Sequence, residues 1–261
     1  MNDLIQIQNL SCTYGKHQVL SGVSLSIPPC SILFVMGNNG SGKTTLIKCM
    51  LNRQTPTSGT ISYQGNELSR IGRTRLARLV SYVPQNIHVG CDYKVKDYLV
   101  LGRNPYIAFA SPQKRDYELA AFYAEKTGIK SVWEKPFYTL SGGQKQWAVI
   151  TRALVQETPI IIMDEPMSAL DMGKQAELLC LLRDLRNQDE KTIILTSHNP
   201  NHCTALDCNV CVLHRERVYA YGPPRQVLRP DMISEIYGDH IELFENGYIG
   251  FSLSTESGFV L

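Results

Sequence analysis

Residues 37–45 read Gly-Asn-Asn-Gly-Ser-Gly-Lys-Thr-Thr. Gly37-x-x-x-x-Gly42-Lys43-Thr44 is a loop built to hold phosphate. Its glycines let the backbone curl, so that successive N–H groups from Asn38, Asn39, Gly40 and Ser41 turn inward toward phosphate oxygens. The helix that follows adds the positive end of its dipole. Lys43 is placed to reach the β- and γ-phosphates of a nucleoside triphosphate, and the Thr44 hydroxyl to bind Mg²⁺. Thr45 closes the motif and opens a helical run.

Ile160-Ile161-Ile162-Met163 is an apolar run that ends in Asp164-Glu165. Asp164 is suited to orienting Mg²⁺, directly or through water. Glu165 projects differently and is a candidate general base for the attacking water. Gln85 follows a short strand and a proline, where its amide can touch both Mg²⁺ and that water. His198 follows Ile193-Ile194-Leu195-Thr196-Ser197 at another strand end, where it can bond the γ-phosphate and hold Glu165. Ser141-Gly142-Gly143-Gln144 opens a helix, and its free N–H groups and hydroxyl form a second anion-binding device. A chain with one phosphate loop already has a cradle of its own. The second device makes sense if it serves the nucleotide of another subunit.

The elements that position these residues are readable from periodicity. Residues 4–10 and 19–27 alternate and predict two strands turning at Gly15-Lys16. Runs at 32–36, 60–63, 80–83, 160–164, 192–196 and 210–213 predict further strands, the continuous apolar ones buried on both faces. Helices are expected over 45–51, 73–78, from just after Leu140 to Gln156, 173–187 and 225–237. Residues 94–128 predict a helical insert with loops at Gly102-Arg103-Asn104-Pro105 and Ser111-Pro112. The tail, 240–261, holds short β-like runs around Asn246-Gly247. Alternating strand and helix imply an α/β fold with a mostly parallel central sheet.

In order along the chain, the phosphate loop 37–45, Gln85, the signature Leu140–Gln144, Asp164-Glu165 and His198 resemble the ATP-binding cassette (ABC) ATPases, over nearly all of residues 1–235. The resemblance implies a P-loop cassette fold with an N-terminal antiparallel β subdomain. It implies one ATPase domain over 1–239, a helical subdomain at roughly 89–155, and a tail at 240–261. Tyr14 sits where the family stacks an aromatic ring on adenine. Ser168-Ala169-Leu170-Asp171 matches the loop that crosses the dimer interface. The family implies a head-to-tail homodimer, each ATP lying between Lys43 of one chain and Ser141 of the other. Three positions depart from the family pattern: Trp147 replaces a basic residue, Met167 a threonine and Asn199 an aspartate. None removes a catalytic atom.

One cassette without a membrane-spanning segment is the plan of an importer subunit, which works with a polytopic membrane permease and an extracytoplasmic substrate-binding protein. This places the chain at the cytoplasmic face of the inner membrane. Leu101–Tyr106 resembles the branch that serves iron–siderophore, haem and cobalamin importers. The run His198–His202 looks like a variant among metal-chelate and molybdate or tungstate relatives. Non-transport members acting in DNA repair or translation are the rival reading. They usually carry coiled coils, zinc modules or two cassettes, none of which appears here.

A net charge of +2 over 261 residues supplies no electrostatic footprint for nucleic acid. The first residues lack a basic region followed by an apolar core, so no signal peptide is expected. Eight irregularly spaced cysteines, with an ATP site, read as reduced thiols. His198, His202, Cys203, Cys208, Cys211 and His214 suggest a zinc site, but the second half of a paired-cysteine motif is missing. Buried thiols are the expectation there.

Overall fold

The structure, a computed structural model, describes residues 3–87, 92–107, 111–238, 240–244 and 248–251. Alternation gives β1 (Ile5–Tyr14) and β2 (His17–Ile27), an antiparallel pair turning at Gly15-Lys16. The alternation slips between Ile7 and Leu10, where Asn9 adopts φ 47° and the register shifts. This bulge returns Leu10 and Cys12 to the buried face. After β3 (Ile32–Met36) and α1 (Lys43–Met50) come β4 (Ser58–Tyr63) and β5 (Asn66–Glu67), which complete an antiparallel sheet in the order β2-β1-β4-β5.

The chain continues through α2 (Arg73–Leu79) and β6 (Val80–Val83) into helices α3 (Val95–Val100), α4 (Asn104–Ile107), α5 (Lys114–Lys126) and α6 (Gly142–Val155). Next are β7 (Ile160–Met163), α7 (Met172–Asn187), β8 (Thr192–Thr196), α8 (Asn201–Thr204), β9 (Asn209–His214) and β10 (Arg217–Gly222). Helices α9 (Pro224–Val227) and α10 (Pro230–Tyr237) precede a hairpin of β11 (Ile241–Leu243) and β12 (Ile249–Phe251).

The central sheet runs β10-β9-β3-β8-β7-β6, parallel from β9 to β6, with β10 antiparallel at one edge. Its central strands β3, β8 and β7 are buried along their whole length because both faces are covered, whereas the edge strand β10 is largely exposed. Along β3, Ile32, Phe34 and Met36 pack into a core with the helical insert and α7. Leu33 and Val35 pack on the other side, with α1 and the antiparallel sheet. Parallel direction has the consequence that matters for chemistry. The loops after β3, β6, β7 and β8 all leave the same edge of the sheet, its carboxyl end. Those loops begin with Gly37, Pro84-Gln85, Asp164-Glu165 and Ser197-His198.

Three elements differ from the sequence reading. The segment expected to loop at 102–105 is a 3₁₀ turn, Leu101–Arg103, running into α4. Gly102 is there for proximity, since a Cβ would meet the Arg152 carbonyl of α6 at 2.4 Å. The single helix expected over 225–237 is two helices. Leu228 leaves the helical conformation, and Pro230 starts α10 at a position that needs no N–H. Strand β10 has no turn signal ahead of it in the sequence, because its turn, Arg215-Glu216, takes φ of 45° and 70° without glycine or asparagine. Asn246-Gly247 lies outside the described residues. Of the flanking hairpin, Ile249 is pinned by two bonds to the Asn201 side chain, each 2.9 Å.

Candidate active site

The phosphate loop is shaped by two glycines with close neighbours. Gly37 has φ 140°, and a Cβ there would lie 2.2 Å from the Leu213 carbonyl oxygen. Gly42, at φ 98°, would push one to 2.7 Å from Leu20. Gly42 leads directly into α1, so the loop's amides and the helix N-terminus face the same space. Lys43 is buried, and its ammonium donates to the carbonyls of Gly37 at 2.7 Å and Asn38 at 3.0 Å. Burial lowers its pKa, against the opposing pull of the Glu165 and Asp164 carboxylates. The Asn38 side chain donates to the carbonyl of Ile236 in α10, so the cradle is braced by the last helix of the chain. Ser41 turns its Oγ into the loop, close to the Gly37 backbone. Thr44 is half-buried and Thr45 buried in the first turn of α1.

Opposite the loop stands the carboxylate pair. Asp164 is buried, and its Oδ1 accepts a 2.7 Å bond from the Thr196 hydroxyl. That same Thr196 oxygen accepts the backbone N–H of Glu165 at 2.7 Å. Glu165 has φ 47°, uncommon for a residue with a side chain and costly unless its surroundings enforce it. The enforcement is visible. Thr196 holds its amide, and Ser168 donates through its hydroxyl to its carbonyl at 3.0 Å. The turn re-aims the Glu165 side chain away from Asp164. Its Oε2 accepts from Gln85 Nε2 at 3.1 Å and lies 3.6 Å from His198 Nδ1. Gly37, Asn38, Asn39, Gln85, Glu165, His198 and Tyr237 line one cleft of about 420 Å³.

Tyr14, at the exposed end of β1, does not line that cleft, and neither do Ser141–Gln144 or Asp171. Ser141 caps α6 reciprocally with Gln144. Ser141 Oγ accepts the Gln144 amide at 3.3 Å, and Gln144 Oε1 accepts the Ser141 amide at 3.1 Å. The Gly142 and Gly143 amides precede the helical ladder and stay at its exposed end. Asp171 caps α7 through the Lys174 amide at 2.8 Å. Gly143 lies against Ala169 and Leu170, so Ser141–Gln144 and Ser168–Asp171 form one surface apart from the cleft.

Three contributors were not singled out from sequence: Thr196, Asn38's brace at Ile236, and Tyr237. A threonine ending a buried apolar strand, two residues before a histidine, is the readable cue for Thr196. The other two depend on where α10 packs, which no local pattern encodes. Cys203, Cys208 and Cys211 are buried, and burial raises their thiol pKa values, to about 12 for Cys208 and Cys211. Cys203 and Cys208 donate to the carbonyls of Pro200 and Cys203.

A phosphate loop facing a carboxylate pair at the carboxyl edge of a parallel sheet defines a P-loop nucleoside triphosphatase. The ABC transporter family profile matches residues 20–168. The chain belongs to the ABC transporter family and is an ATP-binding, ATP-hydrolysing member of it. A second profile, for an AAA domain of the AbiEii toxin type, matches residues 134–203. The chain is 29% identical over 252 residues to the ferric enterobactin transport ATP-binding protein FepC of Escherichia coli, covering 96% of this chain and 93% of that one. It is 30% identical over 248 residues to the molybdate import ATP-binding protein MolC of Haemophilus influenzae, covering 94% and 91%. Among solved structures, an ABC transporter assigned to the metal-chelate type, in an inward-facing conformation, superposes with a TM-score of 0.83 at 26% identity, covering 97% and 99%.

Proposed function

We propose that this ATPase powers uptake of a metal chelate of the iron–siderophore, haem or cobalamin kind. It would act as a head-to-tail pair beneath a separate polytopic permease at the cytoplasmic face of the membrane, supplied by an extracytoplasmic binding protein. The supporting observation is likeness over nearly the whole chain to the ferric enterobactin transport protein FepC and the petrobactin import protein FpuD. No helix among the described residues is long and apolar enough to cross a membrane. Transport by this chain therefore calls for a membrane partner.

Each residue has a role in this reading. The amides of residues 38–42 and the Lys43 ammonium hold the β- and γ-phosphates, and Tyr14 stacks on adenine. The oxygens of Thr44, Asp164 and Gln85 are hard donors of the sort Mg²⁺ takes, few enough to leave room for phosphate and water. When bound there, Mg²⁺ supplies charge neutralisation at the phosphates. Glu165 draws a proton from the attacking water, with Gln85 and His198 holding its carboxylate in place. Gln85 donates to the Glu165 carboxylate at 3.1 Å, which aims the base toward the cleft. Ser141, Gly142, Gly143 and Gln144 meet the nucleotide of the opposite subunit, and Asp171 lies at the edge of that interface.

Molybdate or tungstate uptake is the second reading, favoured by the likeness to MolC. Affinity capture of the tagged chain from detergent-solubilised membranes tests both. A permease and its binding protein are expected, and titrating that binding protein with ferric chelates and with molybdate separates them. Recovery of ribosomal or DNA-bound partners alone would remove transport.

A further inference from the structure

We propose that His202 is a positioning residue that ties the loop carrying His198 to the loop carrying Asp171. Through it, the state of the γ-phosphate pocket is passed to the face that meets a second copy of the chain. This rests on the pairing proposed above.

His202 is buried at the start of α8 and bonded on both ring nitrogens. Nδ1 lies 3.0 Å from Ser197 Oγ, and Nε2 lies 3.2 Å from Gln175 Oε1 and, more distantly, 3.5 Å from Asn199 Nδ2. Gln175, in the first turn of α7, gives both hydrogens of its amide to backbone carbonyls, Met167 at 3.2 Å and Leu170 at 3.0 Å.

The shorter contacts and the inventory of donors orient this chain. Gln175 has spent its N–H groups, so its oxygen faces His202 and accepts. Nε2 therefore carries the hydrogen. In a neutral ring Nδ1 is then an acceptor facing the Ser197 hydroxyl at 3.0 Å, whose hydrogen is shared with the Asn199 carbonyl at 3.2 Å. Ser197 Oγ in turn accepts the Asn199 amide at 3.1 Å. Burial and the nearby His198 lower the His202 pKa, in keeping with a neutral ring.

Both ends of the chain meet functional surfaces. Ser197 precedes His198, which lies 3.6 Å from Glu165. Met167 and Leu170 belong to the loop that ends at Asp171, and Gly143 of the signature packs against Ala169 and Leu170 of that loop. A shift of the switch loop on nucleotide binding therefore pulls on the interface loop through one imidazole. Such buried chains act as a unit, so cutting any link removes the whole effect.

The ring also defines the test. Asparagine can accept from Ser197 but is too short for Gln175, whereas glutamine can donate to Gln175 from the place of Nε2. Steady-state turnover, fluorescent-ATP affinity and thermal midpoint are measured for the full chain carrying His202→Asn, His202→Gln, Gln175→Ala and His202→Asn with Gln175→Ala. ATP-dependent dimerisation is followed by sizing with each change added to Glu165→Gln.

His202→Asn and Gln175→Ala are expected to lower kcat about tenfold, with nucleotide affinity within about twofold of the parent. They should raise the ATP concentration needed for dimerisation, and the double variant should be no worse than either. His202→Gln should recover most of the turnover. If His202→Asn does not fold, Gln175→Ala, made from the half-buried face of α7, decides the matter. Turnover near the wild-type rate overturns the proposal, as does a loss of affinity that tracks the thermal midpoint. If Glu165→Gln alone fails to dimerise with ATP and Mg²⁺, the pairing falls and this inference with it. If it dimerises and the His202→Asn form does so at the same ATP concentration, only the inference falls.

Discussion

The Thr196 hydroxyl lies 2.7 Å from the Asp164 carboxylate, and the same oxygen takes the amide of the next residue, Glu165. One side chain on a neighbouring strand thus sets the positions of two carboxylates with different tasks. Thr196→Val keeps the shape and removes both bonds. It should lower turnover roughly 100-fold and cost about 1–3 kcal/mol, because the Asp164 carboxylate and a backbone N–H both lose a partner in the interior. A steady-state assay with a thermal melt checks this. Turnover within twofold of wild type would show that the carboxylates hold themselves.

Glu165→Gln is expected to retain ATP binding and lose turnover by about 100-fold to 10,000-fold, the usual range for a general base. Single-turnover hydrolysis measures the chemical step directly. An unchanged rate would move the base elsewhere in the cleft.

Gly37→Ala places a methyl where the Leu213 carbonyl already sits, at a backbone angle that disfavours any side chain. The loop must then move. Strain of this sort is about 1–3 kcal/mol, so nucleotide affinity should drop by at least about tenfold. Lys43→Ala should weaken binding too, though through lost charge rather than a displaced loop. Its thermal midpoint without nucleotide should therefore change less than that of Gly37→Ala.

Tyr237 lines the cleft, yet its hydroxyl is buried without a hydrogen-bond partner among the described residues. Burial pushes its pKa up to about 12. Removing an unpaired buried hydroxyl should leave stability unchanged or raise it by about 1 kcal/mol. Chemical denaturation of Tyr237→Phe without nucleotide measures this, and a clear loss would reveal a bond to that oxygen.

Acid should weaken the protein through His202. Its pKa in the folded chain is lowered from 6.5 by burial and by His198, the ionisable neighbour acting on it, while Gln175 and Ser197 are neutral. The unfolded chain therefore takes up the proton more readily. Stability from this residue is complete above about pH 6.5, and declines as pH falls through that value toward the lower folded one. Thermal midpoints between about pH 7.5 and pH 5.5 should fall more steeply for wild type than for His202→Gln. Parallel slopes would assign the acid sensitivity to other groups.

The site was readable where local chemistry dictates local shape. Gly37–Thr45 needs its glycines to curl, and the apolar runs at 32–36 and 193–195 mark strands covered on both faces. Direction then followed, since parallel strands bring Gln85, Asp164, Glu165 and His198 to one edge. Long-range packing was not readable. Gly102 looks like a helix breaker and is a contact point for α6. Gln175 looks like an ordinary helix residue and His202 like part of a histidine–cysteine cluster, yet the two meet at 3.2 Å in the interior. The 225–237 run has helical spacing, yet Pro230 forces a restart that lets Ile236 and Tyr237 reach the phosphate loop.

That reach has a bearing on how the protein is made. Asn38 and the carbonyl that steadies it are 198 residues apart. On the ribosome the phosphate motif emerges early, with its glycines and lysine complete, and then waits for the brace. A nascent chain that stops short of α10 carries the whole motif in a cradle without its outer wall. Secure grip on nucleotide thus comes late in synthesis, after the switch histidine and both carboxylates are in place to act on what is held.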